Sequence, residues 1–163
     1  MSKGEKTEPK KKKIVNPADM PAEVYTYWHE RWVEYLNEHH KELFVREGLA
    51  GHSFTERSPD APDGKGYFTY AFAADGTMRF AEEIEEGDAV IEYDSYNIGY
   101  RAFGDEDFDS IKALQDGTLR VTKNPELQMK TAYDVVLQAF RGALHVAIAD
   151  AEKKFNIELP KYW

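Results

Sequence analysis

Histidines, two clusters of carboxylates and a few serines are the side chains of this 163-residue sequence that could do chemistry. Three of the five histidines, His29, His39 and His40, fall on one helix-like stretch. A helical metal pair needs side chains three or four residues apart, so that both reach one ion. No two of these have that spacing. His39 falls on an apolar stripe and reads as a partly buried imidazole with a hydrogen-bond partner. His52 and His145 stand alone, and a cluster assembled only by the fold would not be visible at this level. Glu82, Glu83, Glu85 and Glu86 crowd a hairpin turn, and Asp105, Glu106, Asp107 and Asp109 surround a helix start. An acid–base pair needs one carboxyl buried with a raised pKa. Turns are wet, so these read as solvated charge. Residues 105–116 do not meet the calcium-loop spacing. Ser53, Ser58, Ser95 and Ser110 are turn or cap candidates, none in a nucleophile elbow. Without cysteine there is no disulfide framework and no thiolate ligand or nucleophile. The sequence therefore assigns no catalytic residue, no metal site and no cofactor.

Charge and hydropathy remove further classes. A net charge of −9 argues against broad nucleic-acid binding, which needs a basic face to replace counterions. No stretch approaches the roughly 20 apolar residues of a membrane span, so no stable membrane insertion is expected. The start of the sequence lacks the apolar centre of a secretory signal, and a cytoplasmic protein is the expectation. Residues 1–17 are polar and basic, with Lys10 to Lys13 in a row, and read as a disordered tail ahead of one domain over 18–163.

What remains is a high aromatic content, 13%, which sends the argument to the elements that would position those rings. Tyr25, Trp28, Trp32, Tyr35, Leu36, His39 and Leu43 recur at three- and four-residue steps, the stripe of a helix over about 20–47 that Gly48 stops. His52 to Arg57 is a candidate strand. In YFTYAFA, Phe68, Tyr70 and Phe72 point one way, and ADG then turns the chain into a hairpin. AVIEYD is another strand, with Ala89, Ile91 and Tyr93 on one face. Tyr96, Tyr100 and Phe103 share a face of one short helix, and Phe108, Ile111 and Leu114 share a face of the next. TLRVTK gives a last strand with Leu119 and Val121 inward. Asn124 and Pro125 then open a closing helix striped by Met129, Tyr133, Val136, Phe140, Ala143 and Ala147. Gly142 weakens that helix and marks a bend, a close approach or a movable lid. NIELPKYW is apolar enough to fold back on the body. The order predicts an α+β fold, with a mostly antiparallel sheet between terminal helices.

Residues 88–140 resemble the sterol-carrier-protein-2-like family of small lipid-binding domains. The pieces are DAVIEYD, SYNIGYRAFG, DEDFDSIKALQDG, TLRVTKNPELQ and MKTAYDVVLQAF, with Gly104 and Gly117 at family-like spacing. Lys123 departs from the pattern, because the family usually has Gly before the cap. The hairpin over 66–82 fits loosely. The resemblance implies a five-stranded sheet packed on one face by helices, with an apolar tunnel between sheet and helices. It implies ligands such as fatty acids, acyl-CoA esters or sterols, and no shared catalytic residues.

The rings of the three layers then converge on one expectation, a non-catalytic carrier for an apolar lipid, acyl, sterol-like or aromatic molecule. Its lining would be Trp28 and Trp32 from the first helix, and Phe68, Tyr70 and Phe72 from the hairpin. Ile91, Tyr93, Phe103 and Leu119 would follow, with Met129, Tyr133, Val136 and Phe140 from the closing helix. The alternative is an accessory subunit that acts by contact with a larger enzyme or with its own copy. An exposed aromatic patch would favour that second reading.

Overall fold

In the structure, a computed structural model that describes residues 10–163, sequence punctuation sets most element boundaries. A two-residue strand β1 (Lys12–Lys13) leads through a short 3-10 turn capped by Asn16 into α1 (Ala22–His39). The single helix expected over 20–47 is two: His40 leaves helical geometry at φ −136°, and α2 (Lys41–Arg46) restarts beyond it. Gly48, at φ 80°, ends that pair as expected. Strands β2 (Ser53–Arg57), β3 (Tyr67–Phe72), β4 (Met78–Phe80) and β5 (Ala89–Tyr93) follow. Then come α3 (Tyr96–Gly104), capped by Ser95, and α4 (Ser110–Asp116), capped by Asp109 and closed by left-handed Gly117. Strand β6 (Leu119–Lys123) precedes α5 (Pro125–Met129), α6 (Asp134–Phe155) and β7 (Ile157–Glu158).

The five main strands lie in the order β4–β3–β2–β5–β6. Three neighbouring pairs are antiparallel, but β2 and β5 run parallel, so the sheet is mixed. The parallel pair is what the crossover demands: the β3–β4 hairpin occupies the outer edge, and the chain returns past β2 before running alongside it. The register puts Phe54, Glu56, Phe68, Tyr70, Phe72, Ile91, Tyr93, Leu119 and Val121 on one face, because directly paired residues share a side. The helices cover that face.

Burial of that face and of the facing helix stripes makes the main core. Leu36, Phe44, Phe54, Tyr70, Val136, Phe140 and Ile148 are essentially inaccessible. Helix α6 presents Ala139, Ala143, Ala147 and Ala151 to the interior, all buried, so its backbone lies close against neighbouring elements. Gly142 makes no close approach: α6 runs unbroken through it, and a Cβ there would meet open space. A helix seated this deeply is core rather than a lid.

Two further expectations are corrected at the chain ends. Residues 1–9 of the expected tail lie outside the described residues, but Lys12–Lys13 pair in parallel with Ile157–Glu158, and Ile14 and Pro17 are buried. The stretch from Lys12 to Pro17 is therefore tied down by the C-terminal segment that it meets. The closing helix does not begin at Asn124 and run on. It forms α5, then a 3-10 turn (Lys130–Ala132), and Tyr133 leaves helical geometry at ψ 136° before α6 starts. The apolar stripe proposed through Met129 and Tyr133 breaks there.

Candidate functional site

Two spaces border the helix-covered face of the sheet. The inner one is a cavity of about 40 Å³ among α1, α3, β2, β3 and β5. Helix α1 supplies Trp28, His29 and Trp32, β2 supplies Glu56, and β5 and α3 supply Tyr93, Tyr96 and Phe103. Forty cubic ångströms is room for a few water-sized groups, not for a hydrocarbon chain. Around it the rings pack directly on one another. Trp32 lies 5.2 Å from Phe140 and 5.5 Å from Tyr70 between ring centres, and its indole N–H donates to the Phe140 carbonyl at 3.1 Å.

The inner space carries unusual polar chemistry. Residue alternation in β2 turns Glu56 to the same side as buried Phe54. Its carboxyl is pushed up to about 8, mainly by burial and partly offset by a hydrogen bond from Tyr93. Burial raises the hydroxyl pKa values of Tyr25, Tyr70, Tyr93 and Tyr96, and a charge on Glu56 would raise them further. His29 is stacked on Trp28 at 3.5 Å and held by the Tyr25 carbonyl at 2.7 Å from Nδ1. Burial drives its pKa down to about 3, so the imidazole is neutral. The Trp28 N–H and the Tyr96 hydroxyl neighbour one another, and neither has a further hydrogen-bond partner among the described residues.

The outer space is a groove of about 420 Å³, open to solvent at the β5–β6 end of the sheet. Its floor is Ile91, Tyr93, Leu119 and Val121, and its sides are Phe103 of α3, Leu114 of α4, and Pro125 to Ala132 around α5. Leu114 and Met129 keep half or more of their surface exposed, 50% and 62%. A groove of this size and lining falls in the range of small-molecule sites.

The expected lining residues are distributed unequally between these spaces. Trp28, Trp32 and Phe68 border the inner cavity, and Ile91, Leu119 and Met129 border the groove. Tyr93 and Phe103 border both and form the partition. Tyr70, Phe72, Val136 and Phe140 are buried in the main core and border neither space. Tyr133, 42% exposed, borders neither either, because the helix break turns it away. The rings of the two terminal helices therefore meet each other rather than a shared void. His39 is exposed against the Tyr35 ring, and His29 is the buried imidazole of α1. Sequence reasoning missed Glu56, His29 and the Trp28–Tyr96 pair. The Phe54–Glu56 alternation was the available signal for the first. Among the described residues, no group of three His, Asp or Glu side chains could hold a metal ion.

No family model matches the sequence, and no curated protein is significantly similar to it. Solved structures do match. A conserved hypothetical protein of Thermus thermophilus, suggested to be a sterol carrier protein, superposes with a TM-score of 0.51 at 17% identity, over 81% of this chain and 94% of that one. The sterol carrier protein domain 2 of Helicoverpa armigera gives a TM-score of 0.51 at 21% identity, over 78% and 93%. The fold is sterol-carrier-protein-2-like. At 81% and 78% of this chain, the likeness covers more of it than residues 88–140 do. Among the described residues, no helix of this sterol-carrier-protein-2-like chain is long and apolar enough to cross a membrane.

Proposed function

We propose that the chain is a non-catalytic binding or carrier module for an apolar small molecule, held in the outer groove against β5 and β6. The observation that carries this reading is the groove itself: about 420 Å³ of largely apolar, solvent-open space at one end of an otherwise tightly packed core. Exposed Leu114 and Met129 on its rim have no packing role that would explain their apolar character. Covering such a surface yields roughly 25 cal/mol per Å² of apolar area, before the costs of ordering. Lipid, acyl, sterol-like and aromatic bodies all fit this chemistry, and the likeness in fold to sterol carrier structures supports the same class. The ligand therefore lies in a groove at the sheet's end, not in a tunnel through the main core.

Placing a charge on the rim tests this. Leu114→Glu and Met129→Lys change exposed side chains, so both variants should fold with unchanged thermal stability. Each should weaken uptake of a radiolabelled fatty acid by about ten-fold or more, a desolvation cost of ~1.4 kcal/mol or above. Uptake unchanged in both variants would refute the groove as the binding site.

A further inference from the structure

We propose that the inner cavity is a binding site for a small organic ammonium ion, a protonated primary amine held against Glu56 among aromatic rings. The inference goes beyond the carrier reading above and does not depend on the groove. Three observations carry it. First, Glu56 brings a carboxyl to the cavity, and no side chain there supplies the opposite charge. Among the described residues that line the space, His29 is the only basic one, and burial keeps its imidazole neutral. A carboxyl among apolar groups ionises at a cost, so a positive charge is what the site lacks. Second, the walls are aromatic on several sides. Tyr25 meets Tyr96 at 63° with 5.5 Å between ring centres, and Trp28 meets Tyr100 at 83° and 6.4 Å. Rings crossing this steeply close a space from different directions, and each attracts a cation placed over its face. Third, the cavity has an entrance. Glu56 and Tyr67 are half-buried where residues 58–66 join β2 to β3, whereas Trp28, Tyr96 and Tyr100 are buried. The connecting loop carries Asp60 and Asp63, whose charge draws a cation inward. Its one lysine, Lys65, is paired with Glu82 at 3.6 Å, and neighbouring Arg57 donates to the Glu85 carbonyl at 3.2 Å.

The lining selects the ion. A metal ion needs several oxygen or nitrogen ligands, and no group of three His, Asp or Glu among the described residues could hold one. An anion would face the Glu56 carboxyl. A neutral molecule leaves that carboxyl without a counter-charge. An ammonium group on a short alkyl chain suits both kinds of wall: its N–H groups donate to the carboxylate, and its methylenes lie on the rings. The volume agrees, because about 40 Å³ admits roughly two or three heavy atoms and excludes a long-chain amine. In the empty cavity the Glu56 carboxyl is pushed up to about 8 by burial. Near neutral pH the arriving ammonium ion therefore displaces the Glu56 proton to solvent, and a carboxylate–ammonium pair remains.

The test follows the Trp28 indole N–H by heteronuclear NMR of the nitrogen-labelled, full-length protein. Ethylammonium, ethanol and potassium are titrated in turn at constant ionic strength. Ethylammonium, charged like a lysine side chain throughout this range, should shift the signal saturably. Its Kd should fall about fifty-fold from pH 6 to pH 8, as a carboxyl titrating near 8 gives up its proton. The other titratable side chains on the lining keep one charge state there. His29 is neutral, burial holds the hydroxyls of Tyr25, Tyr93, Tyr96 and Tyr100 protonated, and the Tyr67 hydroxyl donates to the Glu82 carbonyl. Ethanol and potassium should give no saturable shift. Glu56→Gln should weaken ethylammonium at pH 8 about ten-fold or more and remove the pH dependence. Tyr93→Phe, which takes a donor from Glu56, should move that dependence to higher pH and keep the binding, so the test survives if Glu56→Gln does not fold. No saturable shift with ethylammonium at pH 8, equal binding of ethanol, a Kd independent of pH, or full binding by Glu56→Gln overturns the site. Each of these results leaves the groove reading intact, because fatty-acid uptake by the Leu114 and Met129 variants decides that one.

Discussion

Titration of the inner cavity should give this protein an unusual pH profile of stability. Two groups of that cavity, half-buried Glu56 and buried His29, are displaced in opposite directions: the Glu56 carboxyl up to about 8 from 4.5, and the His29 imidazole down to about 3 from 6.5. Stability changes with pH by about 1.36 kcal/mol per unit for each proton by which the folded and unfolded states differ. Between pH 4.5 and 6.5 the folded state holds the Glu56 proton and the unfolded state holds the His29 proton, so the two effects cancel. Above 6.5 the unfolded state holds neither and the folded state still holds one. Stability therefore falls, by about 2 kcal/mol from pH 6.5 to 8. Below 4.5 the unfolded state holds both protons and the folded state only one, so stability falls again toward pH 3. Urea unfolding followed by far-ultraviolet circular dichroism would measure this at half-unit steps. Glu56→Gln removes one group. Its stability should be level from pH 6.5 to 8 and should rise by about 3 kcal/mol between 4.5 and 6.5, from His29 alone. All other titrating groups are common to the two proteins and cancel in the difference. A stability difference that does not change between pH 6.5 and 8 would refute the upward shift of the Glu56 carboxyl.

Three further outcomes follow from the packing. Trp32→Ala removes a ring that contacts Tyr70 and Phe140 and donates to a buried carbonyl, and should cost about 3–5 kcal/mol in urea unfolding. Gly104→Ala puts a Cβ into the Trp163 ring and 3.2 Å from Leu144, so it should lift the C-terminal segment off α3 and red-shift its tryptophan emission. Ile14→Ala should destabilise the protein by about 2 kcal/mol, because it removes most of a buried side chain. A neutral result there would mean that burial of the Ile14 side chain contributes nothing to stability.

Local patterns announced most of the fold, and the misses share a cause. Period-two alternation placed Phe68, Tyr70 and Phe72 together, and caps at Ser95 and Asn124 with Gly48 at a C-terminus marked helix ends, whereas the capping Asp109 had read as solvated charge. These are signals that a residue carries in its own dihedral angles and near neighbours. The parallel pairing of β2 with β5 is not of that kind, because nothing in either strand states its partner's direction. The break at Tyr133 was hidden as well: Met129, Tyr133 and Val136 keep helical spacing across it, and only tertiary packing shows that Met129 and Tyr133 are on the surface. Glu56 was overlooked for a different reason. A charged residue in a strand reads as solvent-facing, although Phe54 two residues earlier fixes its side.

That separation between local and tertiary signals also decides where a ligand can sit. Rings from α1, β3 and α6 were expected to leave a void because large aromatics fit poorly over a small sheet. They do not, because α6 carries alanines at successive turns, and the close approach they allow lets Trp32 and Phe140 fill the space directly. Space instead opens where packing partners run out. Strand β6 is an edge strand, α4 has seven residues and α5 has five, and neither helix is long enough to close over Ile91 and Leu119. The same shortness leaves Leu114 and Met129 exposed on the rim. Filling the core and opening the groove are thus two consequences of one arrangement. A substitution that lengthens α5, such as Tyr133→Ala joined with Thr131→Leu to favour helix through the break, should draw Met129 inward and slow ligand exchange while leaving the main core unchanged. Exchange as fast as in the unaltered protein would mean that the α5 break has no part in access to the groove.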